Sequence, residues 1–416
     1  MAILLSNVTD ALQKIIAPYI QNNFNESTPL LSNLKRNDSV TFMNDTFYAP
    51  IRTSRHGGIT NLANDGNTLV TGSASIDQAS IGSKTLTGTF DISKATIAAT
   101  KSQKGAVENM LSFQAETLLE DFRKDVNRQY YSDGIGVISQ VQGSVGAGTA
   151  AVMYPDASLD DGRSVDWYGV INNDISPTEF IQPGMVLGIG TAAADVGTVT
   201  AVSFTAGGTL GTVVMTGSPA IVANDAVYRL DGNEQGAGTA EIQGMRAALS
   251  SGTADYAGVP RSTYGWTPQL GTVSQALGLN EMQQKYLAAR KFSMGKDRYA
   301  IFVNNSLFNK YGNLLTALRR TVNKTDLVGG WTGLSFDVGM GEVGVFVDYE
   351  VPDGEVMIIN LDSWTVCEIE PMGWAEDTGS LNRRPDKLTY QATMSWFTNL
   401  LCRCPGANAR LIRKIG

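Results

Sequence analysis

From Pro50 to Thr89 the chain is polar and dotted with Gly57, Gly58, Gly66, Gly72, Gly82 and Gly88, and it then runs directly into the longest helical pattern in the sequence. Its apolar residues are scattered: Ile51, Ile59, Leu62, Leu69, Val70, Ile76, Ile81 and Leu86. A stretch of ~40 residues with strand chemistry and so few apolar side chains builds no core of its own. It is either disordered or a hairpin completed by packing on a neighbouring chain, and the second alternative implies assembly.

Size and charge narrow the classes. With 416 residues, 43% of them apolar, the chain can bury a large core and is expected to form more than one lobe. The formal charge of -8 comes from 32 basic and 40 acidic residues spread along the chain, so no basic face that would grip phosphates stands out. The Met1–Leu5 start carries no positive charge, and no window approaches the ~18 apolar residues of a membrane span, so a soluble, unsecreted chain is expected. Cys367, Cys402 and Cys404 make neither an even disulfide framework nor a four-ligand zinc set. No metal or cofactor is expected.

Along the chain, Val8, Leu12, Ile15, Ile16, Tyr19 and Ile20 repeat at helical spacing, and Pro29 closes that arm. Thr85 to Thr96 reads as a strand. From about Gln103 to Tyr131 the residues Val107, Met110, Leu111, Leu118, Leu119, Phe122, Val126 and Tyr130 mark one helical face, ~40 Å long at 1.5 Å per residue. Glu120 with Lys124, and Asp125 with Arg128, read as ion pairs on a solvated opposite face. From about Thr178 to Tyr228 the composition turns to Gly, Thr, Ala and Val. Val196, Val202 and Phe204 then alternate up to the turn Ala206–Thr209, as in a β-rich insertion. Helical signals return at Asn280–Phe292, and the strand Tyr299–Val303 precedes an amphipathic helix through Leu307, Tyr311 and Leu318. The end is β-rich, with Val343–Tyr349, the turn Val351–Glu355, Val356–Asn360 and Leu388–Trp396.

Catalytic constellations fail against this map. His56, the single histidine, lies in the arm at Arg55-His56-Gly57-Gly58, where nothing would shield an acid–base pair. Gly339-Met340-Gly341-Glu342-Val343-Gly344 has the glycine spacing of a dinucleotide site, but Val345–Val347 continue as a strand where a helix is required. The carboxylate pairs Asp160-Asp161 and Glu376-Asp377 sit among turn residues and read as solvated loops. No catalytic residue is assigned and no enzyme is expected.

The order of elements resembles the major capsid protein of tailed double-stranded DNA phages, the HK97-like α+β capsid fold. Local motifs resemble it too: Asp91-Ile92-Ser93 before the long helix, and Arg298–Asn305 with the helix after it. So do Gly344–Asp348 followed by Val351–Ile359, and the closing Cys404–Leu411. The resemblance implies a helical N-terminal arm (1–48), an extended loop lying over an adjacent subunit (49–89), and a peripheral domain with its spine helix (90–177). A β-rich insertion (178–236) and a central, or axial, domain with returning peripheral strands (237–416) would follow.

A shell of hexamers and pentamers enclosing DNA, located in the virion and assembled in the host cytoplasm, is the implied function. Its partners would be further copies of the chain, a separate scaffolding protein, a portal, decoration proteins, and DNA bound without sequence specificity. Isolated charges on an ordered arm are expected to meet acidic partners, which makes Arg52, Arg55 and Lys84 the candidate inter-subunit contacts. Lys84 is also the only lysine between Pro50 and Phe90, but no matching asparagine and acid identify a covalent cross-link. The alternatives are an encapsulin-type nanocompartment shell, or a phage tail or surface structural protein.

Overall fold

The structure is a computed structural model. It describes residues 29–61, 71–95, 104–140, 151–153, 180–190, 195–204, 211–216, 225–230, 241–250, 252, 254–271, 276–293, 295, 298–317, 324–326, 332–337, 342–352, 354–374, 382–383, 387–412 and 414. The expected helix through Val8 and Ile20 lies outside the described residues, as do the turn Ala206–Thr209 and both surface carboxylate pairs.

In chain order the first strands are β1 (Lys35–Arg36), β2 (Thr41–Met43), β3 (Thr46–Arg52), β4 (Ile76–Gly82) and β5 (Lys84–Ser93), followed by helix α1 (Lys104–Tyr131). Next come β6 (Val137–Gln140), β7 (Ala151–Met153), β8 (Val186–Ile189), β9 (Asp195–Phe204), β10 (Gly211–Thr216) and β11 (Ala226–Arg229). Helix α2 (Met245–Ala248), β12 (Gln269–Leu270), α3 (Leu279–Arg290), β13 (Tyr299–Val303) and α4 (Asn305–Ala317) form the next section. The remainder is β14 (Lys324–Asp326), β15 (Thr332–Asp337), β16 (Glu342–Val347), β17 (Val356–Asn360), β18 (Trp364–Trp374), β19 (Asn382–Arg383), β20 (Thr389–Cys402) and β21 (Ala409–Leu411).

The central sheet has the order β12-β21-β17-β13-β16-β15-β14. Its two middle strands, β13 and β17, are buried at every position, which is why they read as unbroken apolar runs. Alternation sends their side chains to two cores. Ala300, Phe302, Met357 and Ile359 face the main cluster, while Tyr299, Ile301, Val303, Val356 and Ile358 face α3 and α4. Strand β13 pairs in parallel with β16, and α4 makes part of the crossover.

The peripheral sheet runs β1-β18-β20-β19, with β5 also paired to β20 along all ten of its residues. Buried Ala392, Met394, Trp396 and Thr398 alternate with half-buried neighbours on β20, as a sheet with one covered face requires. The spine helix α1 covers that face. At the closest approach, a Cβ on Gly88 of β5 would lie 3.1 Å from Leu118 Cδ1 and 3.2 Å from Phe122 Cδ2, so glycine lets helix and strand meet.

The expected β-rich insertion is a six-stranded sheet, β6-β11-β8-β9-β10-β7, with its own small core of Ile138, Leu187, Ile189, Val199, Val213 and Val227. It takes in Val137–Gln140 and Ala151–Met153, which the sequence reading assigns to the peripheral region. Short strands at a sheet edge carry too little pattern of their own to be assigned locally.

Candidate assembly surfaces

The arm is a three-stranded sheet, β2-β3-β4, in which β3 and β4 pair from Thr46↔Gly82 to Arg52↔Ile76. Its root corrects one expectation. Phe47, Ala49, Ile51, Ala79 and Ile81 are buried in the main core of this same chain, so the root is completed without a neighbour. The tight turn Tyr256–Val259 docks on it: Ser80 N donates to Ala257 O at 2.9 Å, with Ala257 held at φ 53. Lys84 and Leu86 belong to β5, so the span 49–89 divides between the arm sheet and the peripheral sheet.

Beyond Arg52 the arm is exposed. Ser75 N donates to Ser54 Oγ at 2.8 Å, and Arg52 Nε donates to Ser54 O at 2.8 Å. His56 is exposed, and its Nδ1 accepts from Gly58 N at 3.1 Å within the loop. The two limbs of the arm cross where Gly58 and Gly72 lie backbone to backbone, and a Cβ on Gly72 would collide with Gly57 and Gly58. Ile59 and Ile76 are among the large apolar side chains left open to solvent.

The three candidate contact residues do not converge. Arg55 reaches back to its own chain, donating from Nε to Tyr264 Oη at 3.4 Å with its guanidinium 5.6 Å from that ring. Arg52 lines a cleft of ≈ 240 Å³ between the arm root, Tyr264–Trp266, Phe292 and Arg403. Lys84 stands at the start of β5, its backbone opposite Thr398. Among the described residues, Arg52 and Arg55 have no carboxylate partner, whereas Arg36 pairs with Glu368 and Arg403 with Asp38.

Two buried charge clusters escaped the sequence reading, and one of them overturns it. Glu120 and Lys124 are on the solvated face as expected, 3.5 Å apart and each 58% exposed. Arg128, by contrast, is fully buried. It contacts Glu241 at 2.5 Å and Asp125 at 3.0 Å, and its guanidinium lies 5.6 Å from the Phe180 ring. Asp125 also receives Arg229 at 3.5 Å and Gln129 Nε2 at 2.9 Å, while Gln129 Oε1 accepts from Ile242 N. The end of α1 therefore grips the chain where it enters and leaves the insertion sheet. Burial pushes the Glu241 carboxyl above its ordinary range against the pull of Arg128. At Asp125 burial acts the same way, but Arg128 and Arg229 outweigh it and hold the carboxyl low.

In the second cluster, buried Glu355 is shared by Arg410 and Arg246. Arg410 Nε donates to Glu355 Oε2 at 2.9 Å, and Arg246 lies 3.3 Å from Oε1. The only local sign in the sequence is a charged residue inside an apolar run, as at Ala409-Arg410-Leu411.

The cysteines are free. Burial pushes the Cys367 thiol up to about 12 and that of Cys404 upward as well. Among the described residues no cluster of His, Cys, Asp and Glu could hold a metal, and no helix is long and apolar enough to cross a membrane. Gly344 lies in β16, so a strand occupies the place where a dinucleotide site would need a helix.

A hairpin arm rooted beside a spine helix, a peripheral sheet, a central mixed sheet and an inserted β sheet are together the HK97-like fold of tailed-phage capsid shells. The chain is similar to the solved capsid asymmetric unit of cyanophage A-1(L), with a TM-score of 0.51 and 14% identity over 94% of this chain and 93% of that one. It also matches the capsid of a native GTA particle (TM-score 0.43, 8% identity, 94% of this chain and 91% of that chain). A further match is Mycobacterium phage Patience (TM-score 0.43, 9% identity, 100% and 90%). No protein-family model and no curated protein matches the sequence.

Proposed function

We propose that this chain is a structural major capsid protein. Copies of it assemble as hexamers and pentamers into an icosahedral shell around phage double-stranded DNA. The observation that carries this reading is the likeness in fold to the cyanophage A-1(L) capsid subunit along nearly the whole of both chains. The exposed half of the arm supports it, because a hairpin with open Ile59 and Ile76 gains order by lying on an adjacent copy. Many modest contacts in a closed lattice then reinforce one another.

On this reading the chain divides into an N-terminal arm, an extended loop whose last strand, Lys84–Ser93, joins the peripheral domain, a peripheral domain with the spine helix, an insertion that takes in Val137–Gln140 and Ala151–Met153 and runs to about 236, and a central domain with returning strands (237–416). The role is structural and not catalytic, and its place is the virion, after assembly in the host cytoplasm. A separate scaffolding protein, a portal and decoration proteins are its partners. A chain carrying 40 acidic and 32 basic residues leaves packaged DNA free to move without sequence-specific binding.

Arg52 and Arg55, two guanidiniums without carboxylate partners among the described residues, are the proposed charge contacts to a second copy, with Lys84. Charge reversal at Arg52 and Arg55 that left shell yield unchanged would dismiss them.

Negative-stain electron microscopy of the purified protein, alone and co-expressed with its genomic neighbours, tests the reading. Closed icosahedral shells are expected; tubes, fibres or monomers under every condition would overturn it. Shells filled with an enzyme cargo would favour a nanocompartment, and uniform shells from this chain alone would count against a scaffold.

A further inference from the structure

The last turn of the spine helix meets the central sheet at a buried carboxyl that plays no part in the assembly reading above. Asp348 follows β16 directly and is 4% exposed. Its Oδ1 accepts from Asn127 Nδ2 at 2.9 Å and from Glu350 N at 3.2 Å, and its Oδ2 accepts from Tyr131 Oη at 3.0 Å. Its own N–H donates to Val303 O at 3.1 Å, so the same residue touches β13, β16 and α1.

Every polar contact to this carboxyl is neutral. Among the described residues no lysine, arginine or histidine bonds to it. From α1 the titratable group facing it is Tyr131. The contact with β13 is the backbone bond to Val303 O, and the following turn brings Glu350 and the exposed Tyr349. A second polar atom is unmatched there, since Asn127 Oδ1 is buried without a hydrogen-bond partner. An anion in this position is stabilised by dipoles alone while carrying the full desolvation cost of a buried charge.

We propose that Asp348, Asn127 and Tyr131 form a proton-sensitive latch between the spine helix and the central sheet, tight when the Asp348 carboxyl is protonated and weakened when it is charged. Burial raises this carboxyl above its ordinary 3.8, with the three hydrogen bonds pulling the other way. The folded chain therefore binds the proton more firmly than the unfolded chain does. The stabilisation is complete below the unfolded value and is lost as pH rises through the raised folded value. Each unit of that elevation corresponds to about a tenfold change in the opening equilibrium. Tyr131 rests edge-on against Phe302 of β13, 6.5 Å between ring centres, so loosening at Asp348 reaches the packing between helix and sheet.

The test compares the full-length protein with Asp348→Asn, which is neutral at every pH. Thermal unfolding and hydrogen exchange of the peptides spanning 124–132 and 344–352 would be followed from about pH 3 to pH 8. The wild type is expected to lose protection in both peptides as pH rises, with the variant flat across the range and the gap between them closing at the acid end. Equal pH dependence in the two proteins would overturn the latch, as would a dependence that persists in Asp348→Asn and vanishes in Glu350→Gln. If Asp348→Asn does not fold, Tyr131→Phe serves: it removes a donor that favours the charged form, so the loss of protection should begin at the same pH and continue to higher pH before levelling off. An unchanged profile in Tyr131→Phe would sink the proposal.

Discussion

Replacing Arg128 by methionine keeps a long apolar stem against Phe180 and removes only the charge that Glu241 and Asp125 share. Asp125 is 29% exposed on its side chain and keeps Arg229 at 3.5 Å, so most of the penalty falls on Glu241, whose side chain is 7% exposed. Without its partner, Glu241 must take up a proton to remain buried. From an ordinary value of 4.5, protonation at about pH 7 costs roughly 3.4 kcal/mol, at about 1.36 kcal/mol per unit. At about pH 5 the same step costs about 0.7 kcal/mol. The expected destabilisation is therefore ~3–5 kcal/mol at neutral pH, the range for breaking a buried pair, shrinking by about 2.7 kcal/mol at pH 5. Guanidinium unfolding of the purified subunit, followed by the fluorescence of buried Trp364 and Trp396, measures it. Adding Glu241→Gln to the methionine variant should abolish the pH dependence. A loss under about 1 kcal/mol at neutral pH, or one equal at both pH values, would refute the assignment of Arg128 as the compensating charge.

Three further outcomes are expected. Gly88→Leu should separate β5 from the spine helix and cost on the order of 1–3 kcal/mol or more from overpacking, whereas Gly88→Ala needs Leu118 and Phe122 to give way only slightly; thermal melts of the two rank them. Asn408, fully buried, accepts from Asn360 N at 2.8 Å and Trp364 Nε1 at 3.0 Å and donates to Cys404 O at 2.9 Å, so Asn408→Ala strands two buried donors. At about 1–3 kcal/mol per stranded group, a melt should show one of the larger losses for a single substitution in this chain. Cys367, buried and with its thiol pushed up to about 12, should resist alkylation at pH 8 until the chain unfolds; modification at the rate of a free thiol in the native protein would contradict its burial.

What the sequence disclosed were features written in short-range pattern. The helical stripe through Leu119, Phe122, Val126 and Tyr130 marks the buried face of α1, and the Pro352-containing turn separates β16 from β17 as the turn residues imply. What stayed hidden depends on partners far along the chain. Arg128 resembles any surface member of an i,i+3 pair until Glu241, 113 residues away, buries it. Strand β1 is two residues long and owes its existence to a parallel pairing with Thr365 and Val366. The arm root looks coreless in isolation because the surface that buries Phe47 and Ile81 is supplied by distant stretches of the same chain. Periodicity discloses which face of an element is buried, and not what buries it.

Strand β4 ends at Gly82 and β5 begins at Lys84, so a single residue separates the arm from a strand bonded along its whole length to β20. A tug on the arm directed along β5 is therefore carried by covalent backbone into a ladder loaded in shear, where all ten register pairs resist together instead of parting one at a time. On the opposite flank β20 is paired with β18, so the load spreads into the widest part of the peripheral sheet. Mechanically the arm is a tie rod anchored over its full embedded length, suited to holding tension from a neighbour without local unfolding at its root.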